Sequence, residues 1–142
     1  MKDTISSQAM LQGLIDCYLE TNPFEVLNQW ADDGWNLDPN ADADESCLKY
    51  LALVILDAFE NSARKIVLEM GCPGLVVTEE GEHMLPAASE SILARGLEML
   101  REMCGMEGAR AQGTLALGIR NDSLELKIEK SEALHIIHFP EY

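Results

Sequence analysis

Leu124-Glu125-Leu126-Lys127-Ile128-Glu129 alternates apolar and charged side chains without a break. Successive side chains of a strand point to opposite faces, so this run specifies a sheet with one buried and one wet face. Just upstream, Leu115, Leu117 and Ile119 alternate with small residues, and Asn121-Asp122-Ser123 reads as the turn between the two runs. Just downstream, Leu134 to Phe139 supplies a third strand. These thirty residues predict an antiparallel meander.

The stretch before the meander has a different period. Pro86 to Cys104 places Leu93, Leu97, Leu100 and Cys104 at a 4-3-4 spacing, with Ile92 and Met103 beside them, as an amphipathic helix stopped by Gly105 and Gly108. Leu75-Val76-Val77-Thr78 and His83-Met84-Leu85 flank Glu79-Glu80-Gly81-Glu82, the pattern of a short hairpin. Cys47 to Phe59 carries only two charged residues, Lys49 and Asp57, which predicts a central helix buried on most sides. Its pattern carries on through Arg64 to Met70 and ends at Gly71, with a strand over Lys65-Ile66-Val67-Leu68 as the alternative. Residues 7–20 and Pro23 onward predict two N-terminal helices. Ser6 or Ser7 caps the first, and Asn22-Pro23-Phe24-Glu25 opens the second as a capping box. Phe24, Leu27 and Trp30 share a face of that second helix, which Gly34 ends. Helices first and strands clustered afterwards give an α+β fold. One domain is expected over residues 1–142.

Composition narrows the function. The chain has 142 residues, with 25 acids against 10 Lys and Arg, a formal net charge of −15. A surface of that sign repels phosphate, so a nucleic-acid partner is not expected. No run approaches the length of a membrane span, and Met1-Lys2-Asp3-Thr4 lacks the apolar core of a signal peptide. Cys17, Cys47, Cys72 and Cys104 are widely spaced without a CxxC pair, which fits free thiols in a reduced, cytoplasmic setting better than staples.

Acidity is concentrated near the N-terminus. Asp32, Asp33, Asp38, Asp42, Asp44 and Glu45 fall within fifteen residues that hold no base. Asp38, Asn40 and Asp42 match the first oxygen ligands of a calcium loop. Ala43, however, stands where the turn needs glycine, and Lys49 stands where the bidentate glutamate belongs, so no metal is expected there. His135 and His138 are three apart, a spacing that on a strand sends them to opposite faces. Cys72, before Pro73-Gly74 and near Arg64 and Lys65, is the candidate reactive thiol. A thiol- or metal-dependent enzyme would be built on Cys72, His83 and the Glu79–Glu82 turn. No phosphate-cradling glycine pattern and no nucleophile elbow occur. No catalytic residue, metal site or cofactor is assigned. Met70, Met84, Met99, Met103 and Met106 read as core.

These residues predict a non-catalytic acidic binding protein of the chaperone, adaptor or immunity kind. Trp30, Asp32, Asp33, Trp35, Asp38, Asp42, Asp44 and Glu45 would meet a basic protein partner, with charge steering it and tryptophan anchoring it. A homodimer is expected, because the strands of the sheet need covering or pairing. The alternative is a small-molecule sensor with a pocket between the central helix and the sheet, using buried polar groups such as His135 or Tyr50.

Overall fold

The computed structural model describes residues 6–36, 43–106 and 111–140. Helix α1 (Ser7–Tyr18) starts at Ser6, whose side chain accepts from the Ala9 amide, and α2 (Pro23–Asp32) starts at Asn22, which accepts from the Glu25 amide. Both caps satisfy amides that the helix leaves unpaired. Helix α3 (Ala43–Glu60) follows, then strands β1 (Lys65–Glu69), β2 (Leu75–Val77) and β3 (Glu82–Met84). Helix α4 (Glu90–Met103) and strands β4 (Gln112–Ile119), β5 (Asp122–Ser131) and β6 (Leu134–His138) complete the fold. It is α+β, with all six strands in one antiparallel sheet ordered β3-β2-β1-β6-β5-β4. Among the described residues no helix is long and apolar enough to cross a membrane.

Helix α3 organises this arrangement. Twelve of its eighteen residues are buried, so it needs neighbours on every side. It packs on α1, α2 and α4 and lies against β1. The sheet turns one face to the helices through Ile66, Leu68, Val76, Leu115, Leu117, Ile119, Leu124, Leu126, Ile128 and Ile137, all buried.

Two expectations are corrected. The central helix does not run to Met70. It stops at Glu60, Ser62 turns with φ 55°, and Lys65–Glu69 is β1 with a period-2 burial pattern. The β-branched pair Ile66 and Val67 fits the pleat, and β1 gains two partners, β2 and β6. The β4–β5 turn is Arg120-Asn121 rather than Asn121-Asp122-Ser123, because Ile119 pairs with Asp122 and Gly118 with Ser123.

The sheet edges are also covered in part. Gln12 of α1 bonds both the amide (2.8 Å) and the carbonyl (2.7 Å) of Gly118, and Gln8 donates to the Ala116 carbonyl at 2.7 Å. Side-chain amides thus serve the open edge of β4 as a seventh strand would. The other edge, β3, is three residues long. A dimer drawn from uncovered edges loses that support.

Three substitutions test these contacts by urea or thermal unfolding. Gly113→Ala puts a Cβ onto the Cys104 carbonyl and within 2.8 Å of Met106, and should cost about 3 kcal/mol as overpacking against backbone. Gly13→Ala, in the exposed middle of α1 with nothing near its Cβ, should stabilise by about 0.5–1 kcal/mol. Gln12→Ala should cost about 1–3 kcal/mol through the unpaired Gly118 groups.

Candidate functional site

Asp57 is a charged residue in the most apolar helix of the chain, and only 3 % of it is exposed. A carboxylate in that position needs strong partners. His83 donates from Nε2 to Asp57 Oδ2 at 2.7 Å, and Asn61, directly after α3 and one turn beyond Asp57, donates to Asp57 Oδ1 at 3.2 Å and to its carbonyl at 2.7 Å. His83 reaches α3 because it sits opposite Val76 in the β2–β3 pair, and cross-strand partners share a face. Val76 is buried on the helix side, so His83 points that way from the edge strand while Glu82 and Met84 point outward. The Phe24 ring meets the imidazole edge-on, with centroids 5.9 Å apart. Between Asp57 and Phe24 the ring is held in one orientation.

The pair floors a cleft of about 660 Å³. One wall is the α1–α2 junction, from Leu19 to Phe24. The other is the end of α3, with Glu60 and Asn61, and the third side is Arg120 from the β4–β5 turn. Arg120, with φ 56°, sends its guanidinium to Glu60 at 2.9 Å and to the Leu19 carbonyl at 3.3 Å. Glu60, with help from Glu20, raises the pKa of Arg120 further above its usual value. Thr21 donates its hydroxyl to the Tyr18 carbonyl, so it is not poised as a nucleophile. With Nε2 committed to Asp57, Nδ1 is the His83 nitrogen left to accept from a cleft molecule. Glu20, exposed on the rim, is a second acceptor.

The expected partner-binding residues are divided by the structure. Asp32, Asp33 and Glu45 are exposed, whereas Asp38 and Asp42 lie outside the described residues. Asp44 is bonded to Arg95 of α4 at 2.9 and 3.0 Å, and that bond holds its carboxyl below the usual range. Trp30 faces inward, 9 % exposed, with its indole N–H on the Asn36 carbonyl and the Lys49 ammonium 4.7 Å over its ring. Trp35 is half-buried, 5.1 Å from Trp30 and 6.0 Å from Tyr50. Trp30 thus meets the chain's own Lys49 in a cation–π contact within the fold, and Trp35 packs between Trp30 and Tyr50.

The remaining candidates also separate. Cys72 is an exposed, free thiol, but the neighbouring Glu69 carboxylate pushes its pKa up, the direction opposite to activation by Arg64 or Lys65. Arg64 lies 3.8 Å from Glu79. His135 and His138 do face opposite ways: His135 is buried beneath α4, and His138 bonds Glu129 at 3.0 Å on the outer face. Neither His135 nor Tyr50 lines the cleft. Among the described residues no three His, Cys, Asp or Glu are grouped to hold a metal ion. No protein-family model matches the sequence, and no curated protein is similar enough to count as a relative.

Asp57 stood out in the sequence as the only acid between Cys47 and Phe59. His83 carried no such mark. Its role comes from the β2–β3 register.

Two measurements follow. His83→Ala leaves a buried carboxylate oxygen without its partner and should cost about 1–3 kcal/mol in urea unfolding, and much less in an Asp57→Asn background. Burial, with Arg101 and Lys130 nearby, pushes His135 down to about 4 from an ordinary 6.5. The folded state therefore binds this proton less readily than the unfolded chain. Stability should fall as pH drops from 6.5 towards 4, by up to about 1.4 kcal/mol per pH unit from this group. His135→Gln should flatten that part of the profile.

Proposed function

We propose that this chain is an acidic binding domain whose cleft at His83 holds a small polar molecule bearing a hydroxyl or ammonium donor. The observation that carries the reading is the buried Asp57 bonded to the partly exposed His83, both of them lining the cleft. A buried ion or hydrogen-bonded pair at the floor of a concave site orients a ligand at little reorganisation cost. His83 Nδ1 and Glu20 offer acceptors, Phe24 offers an apolar edge, and Arg120 caps the far side. The same imidazole has the geometry of a general base. No free hydroxyl or thiol nucleophile stands among the residues lining the cleft, which favours binding over turnover.

The test is a screen of small amines and alcohols against the intact protein, followed by the His83 ring resonances. Binders should shift those resonances saturably and lose about tenfold or more in affinity with His83→Gln or Glu20→Gln. Equal binding by both variants, or no compound that moves His83, overturns the reading.

A second reading, engagement of a basic protein partner, is favoured by a specific surface. Asp32, Asp33 and Glu45 are exposed, and among the described residues no cation pairs with them. Asp44 is held by Arg95, so charge reversal there would also break the link between α3 and α4. In this reading Asp32→Lys, Asp33→Lys and Glu45→Lys together slow association with a basic protein and flatten its salt dependence, and unchanged kinetics argue against it.

A further inference from the structure

Four arginines lie among the described residues, and three of them pair with carboxylates: Arg64 with Glu79, Arg95 with Asp44, Glu98 and Glu102, and Arg120 with Glu60. Arg101 differs. Its guanidinium donates to His135 Nε2 at 2.7 Å, and among the described residues no carboxylate reaches it. A guanidinium cannot accept a hydrogen bond, so the contact fixes His135 as neutral with its proton on Nδ1. That Nδ1–H is buried and has no acceptor among the described residues. Orphaned N–H donors inside a protein are rare and costly. Lys130 stands directly opposite His135 in the β5–β6 pair, so its side chain leaves the same face of the sheet. Two cations and a histidine with an unmet donor thus converge beside the turn of that hairpin, where Arg101 of α4 reaches it.

We propose that Arg101, Lys130 and His135 form a binding site for an oxyanion, a phosphate or carboxylate group, separate from the cleft at His83. Arg101 and Lys130 supply the charge, and a guanidinium grips an oxyanion with two parallel N–H groups. As Arg101 turns to the anion it releases His135 Nε2. The imidazole then gives its Nδ1 proton to solvent and takes one at Nε2, with no net change in protonation. Its ring tip becomes a third donor to the anion, and the buried N–H is removed. Of the neighbouring acids, Glu102 lies 3.9 Å from Arg95, and Glu129 is bonded to His138 on the opposite face. The remaining negative charge of the chain is screened over about 8 Å at physiological salt.

The test uses the intact protein with its three histidines labelled with nitrogen-15. Inorganic phosphate and, separately, succinate are titrated near neutral pH at constant ionic strength, with chloride as the control. His135 should move saturably from the Nδ1–H to the Nε2–H pattern, while His83 and His138 hold still. Response to phosphate alone names a phosphate site, and response to succinate alone names a carboxylate site. Arg101→Gln should weaken binding about tenfold or more, and the exposed Lys130→Gln should weaken it without disturbing the fold. Arg120→Gln, at the cleft, should change nothing. No saturable response of His135 to either anion beyond the chloride control overturns the proposal. So does unaltered binding in both Lys130→Gln and Arg101→Gln.

Discussion

A helix buried on nearly every side sets the terms for this molecule. From Ser46 to Ala58 only Lys49 of α3 escapes full burial, and a cylinder of that character needs a sheet on one flank and helices on the others. The chain supplies them from both ends. Helices α1 and α2 come before α3 in sequence, α4 comes after, and the sheet is assembled from β1–β3 and β4–β6 by setting β1 against β6. Lys49 keeps its charge by lying over the rings of Trp30 and Tyr18, at 4.7 and 5.7 Å. Even the exception is absorbed by packing.

That burial also creates the chemistry. Placing Asp57 on such a helix obliges the fold to bring it donors, and His83 and Asn61 do so. His83 is carried in by the last strand on its edge of the sheet, so the cleft lies where the sheet edge meets the end of α3. Arg120 ties the β4–β5 turn to the α1 and α3 ends of the same region. The cleft is thus bounded by segments far apart in sequence. A single hydrogen-bonded pair at its floor links the stability of the core to the shape of the surface.

The charges follow a comparable logic. The chain is strongly acidic, yet most described arginines are held in carboxylate pairs that stitch one element to another: Arg95 joins α4 to α3, and Arg120 joins the β4–β5 turn to α3. Exposed pairs of this kind add little to stability one by one, but they orient the elements that carry them. The acids left without cations, such as Asp32, Asp33 and Glu45, then account for much of the outward negative field. Arg101 is the exception on the basic side, set against a neutral histidine.

Local pattern by itself determined the helices, their caps, the strict alternation of the meander and the α+β order, because each depends on neighbours within a few residues. The Ser6 and Asn22 caps and the opposed faces of His135 and His138 are of this kind. Lys65 to Glu69 is different: its apolar run suits helix or strand, and only pairing with β2 and β6 decided for strand. Tertiary structure alone decided that Trp30 turns inward under Lys49, that Asp44 belongs to Arg95, and that Gln8 and Gln12 close the β4 edge. It also decided that His83 meets Asp57 across 26 residues. Such contacts depend on register and on the closing of a layer over the core, and no spacing along the chain encodes either one.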